Sequence, residues 1–224
     1  MIFGDHVWSP DTVLAAEWIA GACGGVGWTV GALVPNQYAQ ILRVHAPDSR
    51  IEDWWSAYRD LYGIIGSIGE RHTSSPDRAW FAVWEGHGFA NATTNIAWRG
   101  PLDDETRRAL DERRRRLRDE SQRRNDAIRT ALLEVPRFEL GHRAYYLLSG
   151  PVMAATQFRY PGPFDGWRNP DLFWPDDRRW FVATDVEFWS LYIGGDNDFI
   201  SQLAGSVPTP TEIVTLDRPL EIED

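Results

Sequence analysis

The sequence predicts an α+β fold: a mixed, largely antiparallel sheet packed against helices, with a long charged helical insertion. Three observations predict it. First, residues 173–195, FWPDDRRWFVATDVEFWSLYIGG, and 78–85, RAWFAVWE, are dense in the aromatic and β-branched residues that suit a pleated surface. Second, Ile51, Trp54, Trp55, Tyr58, Leu61 and Tyr62 recur at helical spacing. Third, Leu102 to Val135 is charged along its length, with only Leu110, Leu117, Ile128, Ala131 and Leu132 as a thin apolar stripe. At 224 residues the chain suits one domain. It also admits two similar halves, about 1–100 and 136–224, separated by a charged helix over 103–134.

In chain order, Pro10-Asp11 opens a helix over Thr12 to Ala20, ended by Gly21. The glycines that follow lack the third glycine of a dinucleotide loop, since Val30 stands in its place, so they read as turns and close packing. Trp28 to Val34 reads as a short strand and Gln37 to Val44 as a helix of two turns. Ser49-x-x-Glu52 is a capping box for the aromatic helix, with Gly63 as its stop and Gly63 to Gly69 as a loop. Strands follow at Arg78 to Glu85 and Arg143 to Ser149, and Phe158 to Trp174 is a loop fit to rim a pocket. Pro175-Asp176-Asp177 makes a turn, and a strand or tight hairpin begins at Trp180. Asp198 caps a helix over Phe199 to Ala204, stopped by Gly205, and Thr211 to Leu216 is the last strand.

Composition excludes chemistry. All 23 basic residues are arginine, so Walker-type phosphate loops, lysine Schiff bases and Ser-x-x-Lys acylation are absent. Cys23 is the single cysteine, which rules out internal disulfides and Cys-x-x-Cys metal or redox sites and fits a reduced, cytoplasmic setting; its apolar surroundings suit an inert thiol. The N-terminus lacks a secretory signal. Residues 18–42 are uncharged but too rich in Gly, Pro, Asn and Gln for a membrane span. The formal charge of −10 argues against nucleic acid as a partner. Between Asp103 and Arg129 ten arginines face eight acids, a net of +2 that leaves −12 on the rest.

The candidate catalytic groups are carboxylates. On a regular strand Asp185 and Glu187 stand about 7 Å apart on one face, where they could share a proton or hold a cation; pointing to solvent or pairing with Arg178 and Arg179 is the plainer reading. Asp77, Arg78, Trp80, Phe81 and Glu85 echo Asp177, Arg178, Trp180, Phe181 and Asp185 at an offset of 100, which would bring Glu85 to the same site. A chance match in this composition is the alternative. His45 and His87 could assist, and Arg43 or Arg178 could hold an anionic group. Trp84, Trp174, Trp180 and Tyr192 are the rings that could meet a ligand or partner, with core packing as the default for large rings. No metal site or cofactor is expected, because Asp196-Asn197-Asp198 reads as a turn and helix cap.

WPDDRRWFVATDVEFWSLYIGG, with RAYYLLSGP and LVPNQYAQILRVHAP, resembles a family of uncharacterised actinobacterial proteins with Trp-Pro-x-Asp-Arg and Tyr-x-Gly-Gly signatures. The resemblance implies an intracellular bacterial protein and no particular activity. Twelve tryptophans and the acidic charge favour a non-catalytic binding protein, immunity- or antitoxin-like, for a basic protein, or a small-molecule binder. A lysine-independent hydrolase or lyase using the carboxylate pair is the alternative.

Overall fold

The computed structural model describes residues 10–24, 27–45, 54–87, 103, 106–113, 115–116, 119, 123, 135–157, 169–185 and 188–220. Eight strands, β1 (Gln40–His45), β2 (Ala79–Trp84), β3 (Arg137–Leu140), β4 (Arg143–Gly150), β5 (Leu172–Pro175), β6 (Phe181–Asp185), β7 (Phe188–Gly195) and β8 (Thr211–Val214), form one antiparallel sheet. Their order is β3-β4-β2-β5-β6-β7-β1-β8. With its helices this is the α+β architecture the sequence predicts.

Both faces of the sheet are covered, which explains the near-continuous apolar strands. On one face, α2 (Trp54–Gly69) and α3 (Asn197–Ala204) pack Tyr58, Leu61, Tyr62, Ile65, Phe199 and Leu203 against Phe81, Phe173, Trp180 and Val182. On the other, a 3-10 segment (Pro10–Ala16), α1 (Glu17–Ala22) and a 3-10 turn (Val30–Ala32) cover Trp80, Leu172, Trp174, Phe181 and Tyr192. A strand buried on both sides loses the polar half of its alternation.

Several elements differ from the sequence expectation. The two-turn helix expected over 37–44 is β1, because Ile41, Leu42 and Val44 are buried between β7 and β8 and pairing on both edges overrides local preference. The strand expected at 28–34 is instead the 3-10 turn, anchored by an isolated pairing of Thr29 with Pro219. Neither Gly21 nor Gly63 stops a helix: α1 runs to Ala22 and α2 to Gly69. Along α2, an added Cβ would meet Thr156 at 3.7 Å from Gly63, the Met153 sulfur at 3.0 Å from Gly66 and the Trp180 ring at 2.6 Å from Gly69. Gly66 and Gly69 therefore serve close packing, whereas Gly63 has room for a Cβ at ordinary contact distance.

Asp196, rather than Asp198, caps α3, its Oδ1 accepting the Phe199 N–H at 2.9 Å. Leu172–Pro175, expected within a loop, is β5, while 158–168 lies outside the described residues. The capping box at Ser49 and Glu52 also lies outside them. In the charged segment, 106–113, 115–116, 119 and 123 are helical, and Asp103 receives the Thr106 N–H at 2.8 Å as a cap; the remainder of 104–134 is outside the described residues. Among the described residues no helix is long and apolar enough to cross a membrane.

Candidate functional site

Alternation along β1 places Arg43 and His45 on the face that carries Ile41. Arg43 is only 3% exposed, yet its guanidinium is held: Nε donates to Ser190 Oγ at 3.1 Å and Nη1 to Glu212 Oε1 at 2.9 Å. The register dictates these partners, since Arg43 lies opposite Tyr192 on β7 and Glu212 on β8, and His45 lies opposite Ser190. Half-buried His45 donates its backbone N–H to the Pro210 carbonyl at 3.1 Å. A buried cation, a hydroxyl, an imidazole and a carboxylate thus share three adjacent strands at one end of the sheet. Ser190 and Glu212 have no motif around them, so only the register reveals them.

A second polar group at that end was equally hidden. Asp171, 3% exposed, extends the β5 pairing by one residue: its N–H donates to Ala82 O and its carbonyl accepts from Thr184 N–H, both at 2.8 Å. Its carboxylate takes the Trp84 N–H at 2.7 Å. Nearby, Tyr62 Oη donates to Pro170 O at 3.0 Å, and Tyr58 Oη lies 3.5 Å from Thr184 Oγ1. Burial pushes the Tyr58 hydroxyl up to about 12, the Thr184 contact opposes that and the Asp171 charge adds to it. Burial, with the neighbouring Tyr58 and Asp171, also raises Tyr62 well above its ordinary value. Neither phenol ionises near neutrality, so both act here as neutral hydrogen-bonding groups.

The expected carboxylate pair does not lie on one regular strand. Asp185 ends β6 and pairs with Phe188, the first residue of β7, so the chain reverses between them and no regular strand carries both Asp185 and Glu187. The Asp185 side chain and all of Glu187 lie outside the described residues. β2 and β6 run parallel on either side of β5, with Ala82, Leu172 and Ala183 in line. Glu85 and Asp185 consequently leave the sheet at the same end. Glu85, however, binds Arg137 of β3 at 2.6 Å, on the side away from β6. The register offset between β2 and β6 is 101 rather than 100, and the echoed Trp80 and Trp180 fall in the cores of opposite faces.

The expected binding rings are mostly interior. Trp174 and Trp180 are fully buried and Tyr192 is 1% exposed. Half-buried Trp84 has the Arg143 guanidinium 4.2 Å above its ring. His87 closes a 3-10 turn after β2, and its side chain lies outside the described residues. Burial pushes the Cys23 thiol up to about 12, which leaves it protonated and unreactive at neutral pH.

The opposite end of the sheet is tied by Asp177. Its carboxylate accepts from Thr73 Oγ1 (2.7 Å), Ser74 N (2.6 Å), Ser74 Oγ (2.8 Å) and Arg179 N (3.2 Å). Burial alone would raise this carboxyl, but these donors outweigh it and hold Asp177 below the ordinary value of 3.8. The next residue, Arg178, adopts a left-handed conformation at φ 58°, and its guanidinium lies 4.9 Å over the Trp18 ring. Among the described residues no group of three or more His, Cys, Asp or Glu side chains is placed to hold a metal ion. No family model, curated protein or solved structure matches the chain.

Proposed function

We propose that the protein is a non-catalytic, cytoplasmic binding protein whose partner is a basic protein, in the manner of an immunity protein or antitoxin. The observation that carries this reading is the acidic balance of the chain, a formal charge of −10, with part of its positive charge engaged within the fold. Arg43 is buried against Glu212, Arg137 pairs with Glu85, and Arg78, Arg143 and Arg178 lie over Trp80, Trp84 and Trp18. Exposed Asp60, Asp77, Glu139, Asp198 and Asp217 remain at the surface of a chain with a formal charge of −10. Such a surface steers basic partners and repels acidic ones. Trp28, 61% exposed, supplies a ring of the kind that anchors interfaces. The resemblance to the actinobacterial family belongs to the same proposal.

Native mass spectrometry of the protein purified from its own host at low ionic strength tests it. The expected result is a stoichiometric complex with a basic protein that dissociates as salt rises, because exposed charges are screened beyond about 10 Å at 0.1 M. A protein that emerges alone, or with an acidic partner indifferent to salt, overturns the reading.

A further inference from the structure

We propose that the cleft beside the β5–β6 turn binds a small oxyanion, a carboxylate or phosphate group, with Arg179 as its ligand and Arg178 adding positive charge. The cleft, about 260 Å³, is lined by Gln37, Tyr38, Arg178, Arg179, Gly195 and Asp196. Both arginines are exposed, and among the described residues neither guanidinium pairs with a carboxylate. Arg43, Arg78, Arg116 and Arg137, by contrast, each meet an acid. The one acid lining the cleft, Asp196, already spends Oδ1 on the Phe199 N–H.

The walls are fixed before any ligand arrives. Tyr38 Oη and Gln37 Nε2 donate to the Arg178 carbonyl at 3.2 and 3.5 Å, from one side of the turn. The four donors on Asp177 hold the other side. The Tyr38 ring lies so close to Gly194 that an added Cβ would come within 2.5 Å of it. Among the described residues Arg178 is the only non-glycine at positive φ, a conformation costing roughly 1–2 kcal/mol for a residue with a Cβ. Its side chain lies over Trp18, and the turn carries the neighbouring Arg179 to the cleft. The guanidinium fork matches the geometry of two oxyanion oxygens. The volume falls below the 300–1,000 Å³ common for drug-sized ligands, which fits a small ion or a single anionic group.

The test is NMR of the arginine Nε–Hε groups in the full-length protein, titrated at constant ionic strength with inorganic phosphate and, separately, with acetate. The expected result is a saturable shift of one resonance, assigned to Arg179 by its loss in Arg179→Gln, for at least one anion; whichever anion saturates identifies the group. Asp196→Asn should tighten binding roughly two- to fivefold, because Asn caps a helix about as well as Asp while removing the opposing charge. Shifts that spread without saturation over many arginines, binding unchanged in a folded Arg179→Gln protein, or weaker binding in Asp196→Asn would each overturn the proposal.

Discussion

Trp180 and Trp174 are both fully buried and flank the same β5–β6 turn, yet their indole N–H groups meet different fates. On the helix face Trp180 Nε1 donates to Gly69 O at 3.0 Å. Gly69 is the last residue of α2, where carbonyls lack partners within the helix, so the indole doubles as a cap. On the opposite face Trp174 Nε1 has no hydrogen-bond partner among the described residues, and neither has Trp18 Nε1. The turns there satisfy one another: Val30 and Gly31 donate to Arg218 and Leu216, and Leu220 donates to Trp28. A regular helix offers spare acceptors at its end; a layer of turns that bond among themselves offers few.

The strongest way to break this contrast is through Arg43, a charged group that the opposite face both satisfies and buries. Replacing Arg43 with Ala should cost about 3 kcal/mol in urea unfolding, from two lost charge-assisted hydrogen bonds and a packing defect. Next, Trp180→Phe should cost about 2 kcal/mol, leaving Gly69 O without its donor. Trp174→Phe should cost about 1 kcal/mol less, because it removes a donor that had no partner. Equal losses at the two positions would mean that ring packing alone decides.

The α2 glycines sharpen the helix side. Gly69→Ala should destabilise by about 1–3 kcal/mol, since its Cβ meets the rigid Trp180 ring at 2.6 Å. Gly63→Ala, with only Thr156 at 3.7 Å, should stabilise by up to about 1 kcal/mol through helix propensity. Thermal unfolding of the two variants should therefore move in opposite directions.

The smallest effect concerns pH. Because Asp177 titrates below its ordinary 3.8 when folded, its contribution is present above that value and is lost as pH falls through the lowered folded pKa. Asp177→Asn should cost about 1 kcal/mol or less at pH 7, given the solvent near this turn, and flatten the decline of stability with acid. An unchanged acid limb would show that the Thr73 and Ser74 bonds hold without the charge.

What the sequence made legible were the elements whose signal is local. The Pro175-Asp176-Asp177 turn, β2, β4 and the aromatic face of α2 follow from turn chemistry and periodicity. β1 is hidden because the Pro35-Asn36 turn before it suits the start of a helix as well as of a strand, and its strand character comes from β7 and β8, far away in sequence. The candidate site was less legible still. Arg43 could be named as a charged residue, but its partners Ser190 and Glu212 depend on register. The Asp185–Glu187 pair assumed a continuous strand where the chain reverses. Trp174, Trp180 and Tyr192 were ambiguous between pocket and core, and a sheet covered on both faces draws all three inward.

The place of β1 in the sheet bears on how the chain matures at the ribosome. Gln40 pairs with Gly195 and Ile41 with Val214, so an early apolar strand waits for partners translated roughly 150 residues later. At 5–20 residues per second that wait is roughly 8–30 s. Throughout it, the nascent chain carries an unpaired β1 and an α2 whose apolar face still lacks the β6–β7 half of the sheet. Closure comes only when β7 arrives, making the C-terminal third of the protein the part that locks the N-terminal third in place.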